Sequence, residues 1–184
     1  MVSSYMSWSD GVDVVGLSSP DLTMPDVIIH FARLVHTPIG SAPAGMVLIP
    51  DAANPGHPRV MGFVSPNPTI AAFFGPQIFA GTPFEKAPVL IGTIDVGLSL
   101  PEKQVMVRIL AAGLKIEATL TDLGVLQLIN RPAGNLPFSE YALEARAGGA
   151  LVKVNGELLT VTLPAKGMNG GPAAVYSATG FYAR

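Results

Sequence analysis

The three histidines are the first residues of this sequence that could perform acid–base or metal chemistry. His30 and His36 share their parity with Asp26, so on an unbroken strand all three side chains would face one side. Six residues of strand separate the two histidines by about 20 Å, so they cannot share one metal ion. His57 lies among prolines, where a solvated side chain is expected. His30 is therefore the histidine that we keep as an acid–base candidate, and no metal site is predicted.

Asp95 is the second acid–base candidate, because it interrupts the apolar stretch 89–100. A buried carboxylate is costly unless it is paired, and Arg108 on the adjacent predicted strand could pair with it. The residues that share the parity of Asp95 become polar toward the end of this stretch, which favours a side chain that points into solvent. We therefore expect an exposed aspartate, with a structural ion pair as the first alternative and catalysis as the second.

The glycine-rich segment 166–172 resembles a phosphate-binding loop only in composition. It lacks the spacing of a P-loop, it does not open a helix, and Pro172 removes one backbone donor. A mobile loop is therefore predicted. No serine stands in a nucleophile-elbow context, and no carboxylate cluster has the spacing of a calcium or zinc site. These residues imply no cofactor.

The elements that must position these residues are mostly short strands. Apolar residues at both parities, as in 27–35, are typical of a strand covered on both sides, whereas the alternation within 103–163 suits a sheet with one face in water. Residues 140–147 could form a helix, but their alternation favours a strand, and Asn155-Gly156 predicts a type I′ hairpin turn. Proline-rich loops are expected at 50–58 and 131–137. The strand-like runs are 27–35, 46–49, 60–64, 89–100, 105–110, 114–121, 125–129, 140–147, 151–154, 158–163 and 174–182.

One short helix is predicted at residues 68–74, with Asn67 as its N-cap, Pro68 as its first residue and Gly75 as its C-terminal stop. The whole pattern predicts an all-β fold of about ten to twelve short strands with one helix. An antiparallel β-sandwich of jelly-roll or Greek-key type is preferred, and a closed β-barrel is the alternative. Residues 1–24 are expected to form an N-terminal arm and residues 25–184 a single β domain.

Composition limits the partners that this chain could have. Its 11 basic and 13 acidic residues are only 13% of the sequence, against roughly 25% in an average soluble domain. Residues 27–84 contain three charges, and the net charge of −2 argues against nucleic acid as a partner. Without cysteine, disulfides and thiolate metal sites are excluded. Four prolines interrupt the uncharged run 60–84, so no transmembrane segment is predicted, and the lack of a basic n-region favours a cytoplasmic location.

A mean hydropathy of +0.45 with so little charge predicts an apolar surface that another molecule covers. The first hypothesis is a non-enzymatic structural or scaffold protein that forms a homo-oligomer through residues 27–84. The alternative is a module that binds an apolar small molecule, such as a lipid or polyketide, with acid–base catalysis by Asp95 or His30 as an extension. The residues that could form the interface or line the cavity are large and apolar: Trp8, Phe63, Ile70, Phe73, Phe74, Phe79 and Phe84.

Overall fold

The computed structural model of this protein describes residues 4–54, 56–133 and 137–183. Within them lie twelve strands and one helix, which confirms the prediction of a mostly β chain with one short helix. Parts of three predicted segments lie outside the described residues: residues 1–3 of the arm, residue 55 of the loop 50–58, and residues 134–136 of the loop 131–137. The elements are β1 (Ser4–Gly16), β2 (Val27–Thr37), β3 (Gly40–Pro50), β4 (Pro58–Ser65), α1 (Pro68–Ile78), β5 (Val89–Ser99), β6 (Gln104–Ala111), β7 (Leu114–Thr121), β8 (Gln127–Arg131), β9 (Ser139–Arg146), β10 (Gly149–Val154), β11 (Glu157–Leu159) and β12 (Ala174–Ala183).

All twelve strands belong to one sheet, in the order β11-β10-β7-β6-β5-β4-β3-β2-β1-β12-β9-β8. The sheet is open, with β11 and β8 at its two edges. Every neighbouring pair is antiparallel except β4 and β5. These two run parallel because α1 carries the chain back along the sheet between them.

One core cluster contains residues from both parts of the sheet, so the two parts pack against each other. We call β5, β6, β7, β10 and β11 the small half, and the remaining seven strands the large half. Val12 and Ile29 of the large half share this cluster with Val107 and Ile116 of the small half. Full burial of such aliphatic side chains stabilises the fold by roughly 1.5–3 kcal/mol each.

A second core cluster covers the opposite face of the large half, where α1 packs on the sheet. Met46 and Phe63 of the strands and Phe74 of the helix belong to it. Strands β2 to β4 are therefore buried on both faces, and a charged side chain on either face would have to leave water. This explains why residues 27–84 are nearly uncharged. Among the exposed large apolar side chains of the described residues, Ile39 alone falls within that range.

The helix begins where the sequence predicts and ends four residues later. Asn67 caps it, because its side-chain oxygen accepts hydrogen bonds from two N–H groups of the first turn at 3.1 and 3.4 Å. The predicted stop at Gly75 is wrong, since the helix continues to Ile78. Gly75 instead permits close packing: a Cβ there would lie 2.3 Å from the ring of Phe63. No helix in the described part of the chain is long and apolar enough to cross a membrane.

The segment predicted as an N-terminal arm, residues 1–24, contributes β1 to the middle of the sheet. β1 pairs with β2 on one side and with β12 on the other. Met6 and Trp8 are buried in the second core cluster, which accounts for large apolar side chains at this end of the chain. Residues 4–16 are therefore a strand of the sheet rather than a surface arm.

Most strand positions in the second half of the sequence follow its alternation closely. The strand predicted at 158–163 is wrong beyond Leu159, because β11 ends there and Thr162 forms only an isolated bridge to Leu17. β7 has the predicted bounds, and the ambiguous segment 140–147 is a strand, β9. Asn155 and Gly156 have φ values of +52° and +87°, as a type I′ turn requires. β8 begins two residues later than predicted, which leaves Val125 and Leu126 outside it and exposed.

Candidate functional site

A pocket of about 150 Å³ lies on the side of the large half that α1 covers. We call it the Glu140 pocket. Its walls are apolar and in part aromatic, and its polar residues come from five strands, from the segment after α1 and from the glycine-rich loop after β11. The wall residues include Ile28, Ile78, Phe79, Phe138 and Met168, and the polar residues are Asp13, His30, Thr82, Arg131, Glu140, Asn169 and Tyr182.

Asp13 and His30 form the first polar pair of the pocket. They lie directly opposite each other on β1 and β2, so the register of the two strands brings them together. His30 Nδ1 lies 2.5 Å from Asp13 Oδ1, and each side chain is about one quarter exposed. The imidazole also stacks on Phe74 and meets the ring of Phe79 edge-on. With Nδ1 bonded to Asp13, Nε2 is the ring nitrogen left to exchange a proton with a molecule in the pocket.

Arg131 joins two buried carboxylates of β9, Glu140 and Glu144. Its guanidinium binds Glu144 in a bidentate manner, at 2.8 and 2.5 Å, and its Nη1 lies 3.2 Å from Oε2 of Glu140. Asn169 donates a hydrogen bond of 2.8 Å to the same oxygen of Glu140. Strand register again places these groups, because Tyr182, Glu140 and Arg131 are cross-strand neighbours on β12, β9 and β8.

Burial and neighbouring charges shift the pKa values of these groups. Burial is the largest cause that raises the pKa of Glu140; Asp13 and Glu144 raise it further, and Arg131 and Asn169 offset only part of this. Burial alone would lower the pKa of His30, but the charge and hydrogen bond of Asp13, with the charge of Glu140, raise it above the usual 6.5. The hydrogen bond to Glu144 is the main cause that raises the pKa of Arg131, so this residue stays charged.

The ionisable groups of the site do not balance when all are charged. Asp13 pairs with His30 and Glu144 pairs with Arg131, whereas Glu140 shares Arg131 and has no cation of its own among the described residues. With three carboxylates against one arginine and one protonated histidine, the sum is one negative charge. Glu140 is only 7% exposed, so this charge is poorly solvated. The cluster becomes neutral when Glu140 holds a proton or when a cation enters the pocket.

This arrangement can bind a polar group within a mainly apolar cavity and exchange protons with it. Glu140 and His30 are the residues that could do so, because both line the pocket and both have a raised pKa. No group of three or more histidine and carboxylate side chains among the described residues could hold a metal ion.

The structure brings only part of the predicted site together. His30 and Phe79 line the Glu140 pocket, and Trp8 and Phe74 line a smaller cavity of about 20 Å³ that also touches His30. The other apolar candidates belong to the second core cluster: Phe63 and Ile70 are fully buried in it, and Phe73 and Phe84 pack against it half-buried.

The remaining acid–base candidates lie away from the pocket. Asp95 is exposed on β5, as the sequence favours, and Arg108 opposite it binds Glu117 instead, at 3.1 Å. The shared face expected for His30 and His36 is wrong, because the pairing of β2 and β3 shifts register between residues 32 and 35 and breaks the alternation. His36 is exposed and hydrogen-bonds to a serine hydroxyl, and His57 is also exposed.

Sequence reasoning missed most of the charged residues of the site. On β9 the side with Glu140 and Glu144 is the more buried one, whereas alternation suggested a face in water. A signal existed, since Ala142 lies between these two glutamates on the same side of the strand, and its small side chain leaves room for a buried ion pair. The glycine-rich loop was expected to be mobile, yet Asn169 ties it to Glu140, and Gly171 leaves space for Arg131, whose guanidinium would lie 2.6 Å from a Cβ there.

No protein-family model matches this chain, and neither a curated protein nor a solved structure matches it. Nothing about an activity, a ligand or a partner can therefore be transferred from a relative. Function has to be inferred from the geometry and the charge of the Glu140 pocket.

Proposed function

We propose that this protein binds a small, mainly apolar molecule in the Glu140 pocket. The observation that carries the proposal is the convergence of Glu140, His30 and Asp13 in the lining of a cavity with apolar and aromatic walls. Ligand sites commonly combine a concave apolar surface with a few polar groups that orient the ligand. Acid–base chemistry on the bound molecule, through His30, is an extension of this proposal.

The size of the pocket limits the ligand to a small molecule or to one end of a longer one. A protein cavity of about 150 Å³ is large enough for benzene, and the Glu140 pocket has about this volume. Its polar groups are costly to bury, and nothing in the packing of the sheet requires three carboxylates at this point. A ligand that bonds to them would offset part of that cost.

Chemical-shift mapping with benzyl alcohol, a neutral probe of suitable size, tests the proposal. We expect saturable shifts of the amides of His30, Glu140 and Tyr182. Ile78→Trp should abolish these shifts, because the larger side chain would extend from α1 into the pocket and occupy it. Ala72→Trp, on the exposed side of the same helix, is the matched control and should leave them unchanged. Shifts that do not saturate, or that map elsewhere, would contradict the proposal.

Self-association is the second proposed function, and one observation favours a surface other than residues 27–84. β8 is an edge strand that pairs only with β9, and the side chains of Val125, Leu126 and Leu128 beside or within it are 81%, 42% and 84% exposed. An edge strand with exposed apolar side chains is a site where a second copy can add its own strand. Light scattering after size exclusion should therefore detect a dimer that Leu128→Lys dissociates. A wild-type monomer at all concentrations would reject this function.

Two further expectations from the sequence, the β-sandwich and the cytoplasmic location, stay proposals. The core shared by the two halves of the sheet supports a sandwich-like arrangement, in which β5 passes from one layer to the other. A cytoplasmic location also stays a prediction, which fractionation of expressing cells would test.

A further inference from the structure

One oxygen of the Glu140 carboxylate is left for the pocket. The contacts with Arg131 and Asn169 are both made to Oε2. Among the described residues, no fully buried side-chain oxygen or nitrogen lacks a hydrogen-bond partner. Glu140 also lines the pocket. Oε1 is therefore positioned to accept a hydrogen bond from a group that enters from solvent.

The charges around this oxygen favour a cation over an anion. Arg131, the only guanidinium that the described residues contribute to the pocket lining, already makes two bonds to Glu144 and one contact with Glu140. A carboxylate or phosphate ligand would have to compete with both glutamates for it. A cation, in contrast, would neutralise the excess negative charge while the two existing ion pairs stay intact.

The aromatic walls favour the same class of ligand. Phe79, Phe138 and Tyr182 line the pocket, and the last two rings lie 6.0 Å apart. The negative faces of aromatic rings attract ammonium groups, and such rings together with a carboxylate are suited to recognising amines. Their apolar surface would at the same time hold the hydrocarbon part of the ligand.

We propose that the ligand of the Glu140 pocket is a small hydrophobic amine, whose ammonium group donates a hydrogen bond to Oε1 of Glu140. This inference rests on the proposed small-molecule function and specifies its ligand class. Asp13, Glu144 and the Tyr182 hydroxyl also face this region, and His30 stays paired with Asp13, so the ammonium meets a net negative field. The hydrocarbon part of the amine packs between Phe79 and Phe138.

Three probes of the same shape and different charge test the proposal: benzylamine, benzyl alcohol and benzoate, titrated by calorimetry at pH 7.5. We expect benzylamine to bind at least about tenfold more tightly than benzyl alcohol, and benzoate to bind most weakly, because a hydrogen bond to a charged group adds to the shared apolar contact. Glu140→Gln should reduce benzylamine to the affinity of the alcohol. Glu117→Gln, the same change in an ion-pair group on the small half whose two cations are exposed, should leave all three affinities unchanged.

The outcomes separate the two proposals. Binding of none of the three probes would reject the small-molecule function itself. Binding of the alcohol or of benzoate as tightly as benzylamine would reject the amine and leave the function standing. If Glu140→Gln does not fold, the wild-type pH dependence decides: benzylamine affinity should fall as the pH is lowered through the raised pKa of Glu140, whereas alcohol affinity should not. A benzylamine affinity that is constant with pH, or that rises on acidification, would contradict the proposal.

Discussion

Two groups of three charged side chains lie on different halves of the same sheet, and they differ in both composition and environment. On the small half, Glu117 binds Arg108 at 3.1 Å and Lys115 at 3.0 Å, and both cations are more than 40% exposed. On the large half, Arg131 binds Glu140 and Glu144, which are both buried. The small-half group has two cations for one carboxylate, and the large-half group has one cation for two carboxylates.

The two groups differ in how their carboxylates are stabilised, and the pKa values of Glu117 and Glu140 are therefore shifted in opposite directions. The cations beside Glu117 lower the pKa of this carboxyl, mainly through their hydrogen bonds, and water solvates what remains. Such a group is typical of an exposed sheet face and contributes little to stability. Beneath α1 and the loops, in contrast, burial raises the pKa of Glu140. A carboxylate without its own cation is unfavourable there, and we attribute its presence to the pocket rather than to the fold.

Removing the shared arginine should produce the largest effect. Arg131→Met would leave Glu140 and Glu144 buried without a cation, at a cost of about 3–5 kcal/mol in the free energy of unfolding. Arg108→Met in the exposed group is the matched control and should have a much smaller effect. Urea denaturation of both variants measures the difference. Equal losses would show that the two groups do not differ in the way described.

Substitutions at two glycines test how tightly each half of the sheet is packed: Gly75 lies on α1, which covers the large half, and Gly156 lies in a turn of the small half. Gly75→Ala places a methyl group against Phe63 and should destabilise by about 1–3 kcal/mol, although alanine is the better helix former by roughly 1 kcal/mol. Gly156→Ala meets no neighbouring atom and should cost only about 1–2 kcal/mol, because its φ is positive. Thermal unfolding ranks the two. A stabilised Gly75→Ala would mean that α1 does not pack closely on the sheet.

The Asp13–His30 pair should respond measurably to removal of its carboxylate. The pKa of His30 is raised in spite of burial, so Asp13→Asn should let burial prevail and move this pKa below the usual value of about 6.5. An NMR titration of the imidazole C–H signals measures it. His36, exposed and bonded to a serine, serves as an internal reference in the same spectra. A His30 pKa that does not change would indicate that the pair is not formed in solution.

A smaller effect is expected on stability as a function of pH. Because His30 has a higher pKa in the folded protein than in the unfolded chain, its contribution to stability is complete below about pH 6.5. It is lost as the pH rises through the raised value. Urea unfolding of the wild type between pH 6 and pH 9 should therefore show a decline that His30→Gln reduces. An equally steep decline in the variant would assign it to another group.

Local chemistry made the regular elements predictable, and long-range pairing made the site unpredictable. The bounds of β7, the turn at Asn155 and the cap at Asn67 follow from neighbouring residues. His30 and Asp13, in contrast, are 17 residues apart in sequence, and only the register of β1 and β2 brings them together. The scarcity of charge in residues 27–84 was informative, but it reports burial on both faces of three strands rather than an interface.

The ionisation of Glu140 is the property on which the account depends most directly. With glutamate labelled by 13C at the side-chain carboxyl, the signal of Glu140 can be followed against pH in the presence and absence of benzylamine, and Glu140→Gln assigns it. We predict a pKa above the usual value of about 4.3 in the free protein, and a lower one when the amine is bound. A Glu140 carboxyl that titrates at the usual value, or that does not respond to the amine, would contradict the account.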